Sequence, residues 1–264
     1  MKKILLVLPF VLVGCATDID YKIPVHRFMD PETRGATLWK AEFDGFAQIS
    51  YQQDHKLTMT EVYDFGVFGA SVNDDLALSE TGNLGQLYGL GIAPHVDFHY
   101  RDNGDSPHMF LTKVQVLGKT AAENKEGFKL SFWGGLGKMD ENEGSLTVEN
   151  DQNGDQKTFS GKIEVDPWEV GLSLGYRTHE KVIIYLNSVY ANYASKSTLE
   201  SDTENDLRIK GDAILKALTF GTRLGGSDGV SCHLELGLSE VKWKEEVDIQ
   251  NLRASLAGAL SWYF

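Results

Sequence analysis

His95, Asp97 and His99 occupy alternate positions, and so do Ser231, His233 and Glu235. Side chains of an extended chain alternate between two faces, so each set shares one side of a strand. Imidazole and carboxylate are good ligands for Zn or Cu, and the first set offers both; a complete metal site would need a donor from a second strand. The second set holds the hydroxyl, base and acid that nucleophilic hydrolysis uses. Residues two apart on a strand lie about 7 Å apart, which is too far for the hydrogen bond that activates a serine. The competing reading gives both sets a structural task, filling and cross-linking the interior of a small barrel, where charges must pair or be hydrated.

Two acidic stretches offer oxygen ligands. Asp151-Gln152-Asn153-Gly154-Asp155 resembles the start of a calcium loop, with Asp151, Asn153 and Asp155 at alternate positions. It lacks the terminal bidentate Glu and flanking helices of an EF-hand. Glu200, Asp202, Glu204 and Asp206 alternate similarly. Solvated acidic loops are the default for both. A weakly bound Ca²⁺ or Mg²⁺ is the alternative, motivated by repulsion between the loops, and no other cofactor is indicated. The chain carries 38 acids against 25 Lys and Arg, a net charge of −13. That balance excludes nucleic-acid binding through the overall field.

The elements that position these residues alternate with period two. In the last stretch Leu252, Ala254, Leu256, Gly258, Leu260, Trp262 and Phe264 share one face, and small or polar residues the other. Similar patterns cover about 36–52, 57–71, 88–101, 109–118, 127–138, 162–177 and 230–242. Two more segments, 182–193 and 207–223, have undecided facing. Glu61 and Pro94 mark expected bulges. Aromatics stand near strand ends at Trp39, Tyr51, Tyr88, Tyr100, Trp168, Tyr176, Trp262 and Phe264, as where strands cross membrane interfaces. The expectation is an all-β, antiparallel up-and-down transmembrane barrel of about ten strands, with eight possible. Tight turns at 177–181 and 225–229 then fall on one side and the long connections 139–160 and 195–206 on the other.

The terminal strand ending in Phe264 resembles the closing strand of bacterial outer-membrane β-barrels, the small OmpA-like and omptin-sized proteins. Met1-Lys2-Lys3, the apolar run Ile4 to Val13 and Leu12-Val13-Gly14-Cys15 resemble a lipoprotein signal peptide with its lipobox. These resemblances imply a signal peptide over 1–14, acylation of Cys15 with fatty acids such as palmitate, a periplasmic linker over 15–35 and a Gram-negative outer-membrane barrel over 36–264. A plain signal peptide cut near Ala16 is the alternative. With Cys15 acylated, Cys232 has no disulfide partner.

The implied partners are outer-membrane lipid, lipopolysaccharide and, through the last strand, the barrel-assembly machinery; the ligand is unknown. The expected role is structural or binding, with acidic extracellular loops around a side-chain-filled lumen, and more a non-enzyme than an enzyme. An outer-membrane hydrolase of lipid A or phospholipid, a protease or a narrow solute channel are the alternatives. For a protease the omptin likeness offers only Asp54-His55, expected in the first outer loop. A soluble lipocalin-like lipoprotein is the reading in which the apolar faces would turn inward instead.

Overall fold

On one strand, Leu234, Leu236 and Leu238 point outward while His233, Glu235 and Ser239 are buried, so the alternation separates an apolar exterior from a polar interior. The computed structural model describes residues 14–35, 44–66, 69–149, 156–201, 207–226, 228–244 and 249–264. It contains β1 (Gly14–Ile23), β2 (Gly45–Gly66), β3 (Gly69–Ala93), β4 (Val96–Asp102), β5 (His108–Leu117) and β6 (Gly127–Glu149). These are followed by β7 (Gln156–His179), β8 (Val182–Ser201), β9 (Leu207–Gly225), β10 (Gly229–Lys244) and β11 (Ile249–Tyr263). Strands β2 to β11 form a closed antiparallel up-and-down ring of ten, sealed where β11 pairs with β2. The seam is confined to the turn-side part of the two strands, Phe46–Tyr51 against Gly258–Tyr263, and there closure leaves no free edge.

The outer surface carries an uncharged apolar band. Along β10 the outward residues from Val230 to Leu238 avoid charge, and then come Glu240, Lys242 and Lys244. Nine residues tilted by about 40° cover roughly 20 Å of height, close to the ~25 Å apolar band of a membrane barrel. The apolar runs of neighbouring strands stop in the same way, at Asp102, His108, Lys138, Asp166, Asn192 and Lys216. Tyr51, Tyr88, Trp168, Tyr176, Trp262 and Phe264 all face outward, and Trp168 pairs with Tyr190 just below Asp166 and Asn192. Tyr100 stacks among Tyr88, His108 and Phe110 on the same surface. Trp39 lies outside the described residues.

One rim, here the turn rim, carries the tight connections at Pro94–His95, Glu180–Lys181 and Gly226–Asp228, and the longer one after β5. Gly45 and Phe264 exchange backbone hydrogen bonds of 2.9 and 3.0 Å on this rim. The opposite ends of the strands define the far rim.

Several boundaries differ from expectation. The segments 36–52 and 57–71 are not two strands: β2 runs through Gln52–Leu57, pairing with β3 without a register shift even at Glu61. The stretch 88–101 is not one strand, because Pro94 and His95 turn the chain between β3 and β4. One strand was expected too many in the first region and one too few in the second, so ten survives and eight does not. The expected long connections are mostly strand, with pairing up to Glu149↔Gln156 and Leu199↔Leu207.

The largest difference concerns 15–35. These residues are no linker outside the barrel. Strand β1 pairs with the far half of β2, from Gly14↔Asp64 to Ile23↔His55. Residues 24–34 then run down the lumen toward the turn rim, every one of them buried. Among the described residues the ring begins at Gly45; residues 36–43 lie outside them.

Candidate functional site

The lumen is built in two halves, and the N-terminal segment matches both. In the far half Tyr21 and Ile23 of β1 pack with Leu57, Trp133, Ile163, Tyr193, Leu215 and Trp243, an apolar interior. This explains the undecided facing of β8 and β9: Val189, Ala191, Tyr193, Ala213 and Leu215 face inward, yet they meet apolar neighbours instead of water. Close approach here depends on glycine. A Cβ on Gly171 would sit 2.1 Å from the Trp133 ring.

In the turn-side half the segment exchanges charges with the wall. Arg27 donates to Glu169 at 3.1 and 3.2 Å, and Arg101 of the wall reaches the same carboxylate at 2.8 and 3.0 Å. Asp30 accepts from Arg223 at 2.5 Å. Glu32 is met by three cations: Arg177 grips both its oxygens, with Nε at 2.7 Å, while Arg223 lies at 2.8 Å and Lys129 at 3.0 Å. Lys113 donates to the Glu32 carbonyl at 2.5 Å. The Arg34 backbone N–H donates to Asp97 at 3.0 and 3.1 Å, and its guanidinium Nε to Asp44 at 2.7 Å. At the turn rim, outside the spanning strands, burial lifts the Asp44 carboxyl above its ordinary value, opposed by the Arg34 charge. Desolvated charges of this kind are tolerable only when paired, and these are.

The expected site residues land as follows. Asp97 and His99 face the lumen, but His95 sits on the turn rim, exposed, at φ 149°. The turn thus removes His95 from the face it was expected to share. His99 Nε2 lies 3.9 Å from Asp97, whose oxygens serve Arg34 and Lys113. Among the described residues no three His, Cys, Asp or Glu are grouped to hold a metal. Asp151, Asn153 and Asp155 lie outside the described residues, as do Asp202, Glu204 and Asp206. Asp54 and His55 are buried within β2, not in an outer loop.

Ser231, His233 and Glu235 all face the lumen and are buried. They do not act on one another. Tyr263 lies 3.4 Å from His233 Nε2. Glu235 instead faces His26, whose Nδ1 is 3.1 Å away, while His26 Nε2 is 2.8 Å from Ser255 Oγ. With Nδ1 carrying the proton, His26 donates to Glu235 and accepts from Ser255, the relay of a hydrolase. Tyr185 and Asn187 also donate to Glu235. No room for a substrate is left, since a Cβ on Gly237 would meet Ser255 Oγ and His26 Cε1 at 2.9 Å.

The residues missed by sequence reasoning are His26, Arg27, Asp30, Glu32 and Arg34 on the segment, and Lys129, Glu169, Arg177, Arg223 and Ser255 on the wall. A signal was present: charges of both signs alternate with Val25, Phe28 and Met29 in a stretch read as solvated.

No protein-family model and no curated protein matches this chain. Among solved structures it is similar to in-vitro folded OmpT, an outer membrane protein of Vibrio cholerae, with 10% identity over 84% of this chain and 97% of that one, at a TM-score of 0.20. The form of that protein expressed in the outer membrane gives 10% identity, the same coverages and a TM-score of 0.19.

Proposed function

We propose that the chain is an outer-membrane β-barrel sealed by its own N-terminal segment, with a structural or binding role on the surface at its far rim. The observation that carries this reading is the burial and wall pairing of residues 24–34 along the turn-side half of the lumen. The uncharged apolar belt supports the membrane location, since each exposed Leu, Val and Phe on it would otherwise face water. A solute channel is disfavoured because residues 24–34 fill this half and the cavity beside them, about 10 Å³, has room for roughly one water.

Planar-bilayer recording tests the reading. The intact protein is expected to be silent, and a variant with residues 24–34 replaced by a Gly/Ser stretch of equal length to conduct. Steady ion current through the intact protein would refute it.

The spacing of Ser255, His26 and Glu235 favours a hydrolase as the second reading. The geometry argues against it, because withdrawing the segment to admit a substrate also withdraws His26. Lipid A mass spectrometry of a deletion strain addresses this: an altered acyl pattern restored by the intact protein but not by Ser255→Ala would establish the enzyme.

Acylation of Cys15 belongs to the same proposal, with one change of place. Cys15 pairs with Tyr63 on the far rim, opposite Phe264. With the turn rim periplasmic, the anchor would emerge outside the cell. Radiolabelled palmitate incorporation, lost in Cys15→Ser, is the check. Lipopolysaccharide, with Ca²⁺ or Mg²⁺ at the acidic connections, is the partner proposed for that rim.

A further inference from the structure

The three cations around Glu32 share one property. Among the described residues, the carboxylates that pair with Lys129, Arg177 and Arg223 are Asp30 and Glu32, both on the inserted segment. Lys113 stands beside them, donating to the carbonyls of both residues at 2.5 and 3.4 Å. Part of the turn-side wall balances itself, where Arg101 meets Glu169 and Lys113 lies 3.5 Å from Asp97. Around Asp30 and Glu32 the wall instead presents Lys129, Arg177 and Arg223 and leaves their neutralisation to the inserted segment.

A second observation lies alongside. The small cavity is bordered by Asp30, Glu32, Lys113 and Arg223 together with His99 and His233. Arg223 Nε, both ring nitrogens of His99 and Nδ1 of His233 are buried there without a hydrogen-bond partner. Buried polar groups of this sort mark an incompletely filled site.

We propose that Lys113, Lys129, Arg177 and Arg223 form an oxyanion-binding site of the barrel wall, which the chain occupies with its own Asp30 and Glu32 carboxylates. The fitting ligand is a small oxyanion of the phosphate or carboxylate class. Two carboxylates bring about the charge of one phosphate at neutral pH, and the two Arg present the paired donors that such groups accept. The segment is then a self-inhibiting occupant, and its displacement would expose the site to the turn rim. This rests on the sealed-barrel reading. Wild-type conductance tests that reading separately, so the two can fail independently.

The test uses the full chain folded in detergent, with Asp30→Ala and Glu32→Ala combined. Its thermal midpoint is measured in sodium phosphate, acetate and chloride at equal ionic strength. Phosphate well above its Kd is expected to raise the variant's midpoint by roughly 5–10 °C over chloride and to leave the wild type unmoved. Equal rises in acetate and phosphate show a site that takes either oxyanion; a rise in phosphate alone assigns it to phosphates, and a rise in acetate alone to carboxylates. Adding Arg177→Gln should abolish the response. Equal midpoints in all three salts, or a wild type that responds as much as the variant, overturns the proposal. Should the double variant not fold in any salt, Glu32→Ala alone, which leaves Asp30 on Arg223, is read by the same two outcomes.

Discussion

Replacing Glu32 with Gln keeps the side chain's shape and removes the charge that Arg177, Arg223 and Lys129 converge on. At about 3 Å and an effective dielectric near 20, each ion pair is worth roughly 5 kcal/mol before desolvation is counted. Burying these groups offsets much of that, so the net value of the cluster is small, but breaking it is another matter. Arg223 retains Asp30, Lys129 retains the Lys119 and Lys125 carbonyls, and Arg177 retains the Glu180 carbonyl. What remains is close to the removal of one partner from a buried pair, which costs about 3–5 kcal/mol. Domains are stable by about 5–15 kcal/mol, so the loss should be plain in urea unfolding from detergent or vesicles. The buried Trp133 and Trp243 serve as fluorescent reporters. Combining Glu32→Gln with Arg177→Gln should recover part of the loss, because the second change removes a stranded cation. A loss below about 1 kcal/mol, the value of a solvated pair, would mean the segment is not held in the lumen as described.

Three further outcomes follow from the same geometry. Leu234→Arg, in the middle of the outward face of β10, should destabilise the barrel by about 2–4 kcal/mol in vesicles, whereas Glu240→Arg just above the belt should cost well under half of that; equal effects would misplace the belt. Gly171→Val should lower the thermal midpoint and shift Trp emission, since its Cβ would lie 2.1 Å from the Trp133 ring; an unchanged spectrum counts against the close approach. On intact cells in a Cys15→Ser, Cys232→Ala background, a membrane-impermeant maleimide should label Ser79→Cys on the far half and spare Ala122→Cys on the turn rim; the reverse pattern would invert the barrel.

The outward faces were legible in the sequence because nearly every second residue along the strands is apolar and turned outward. Boundaries were legible only where the chain changes its facing. The Pro94–His95 turn spans two residues, an even number, so Tyr88, Leu90, Ile92, Val96, Phe98 and Tyr100 stay in phase and two strands read as one. The opposite error arose at Asp54 and His55, which are both buried. The facing changes there, where the neighbour of β2 switches from β11 to β1, and a change of phase within one strand resembles a turn. The paired halves of the interior lay beyond reach for a different reason. Lys129, Arg177 and Arg223 are unremarkable inward residues until Glu32, 97 or more positions away in the chain, is placed among them. Period two reports which side a residue faces but not what stands opposite.

The seam between β11 and β2 is short, running from Gly258↔Tyr51 to Tyr263↔Phe46, and the N-terminal segment passes straight through the ring that this seam closes. Residue 14 leaves by one rim and residue 35 by the other. A finished hoop cannot be filled from the side. Either the first strand is already lying along the second when the last one zips into place, or a free end must be drawn through a hole crowded with arginine and lysine. Fatty acids at Cys15 would obstruct the latter route, which makes the order of folding events part of the architecture.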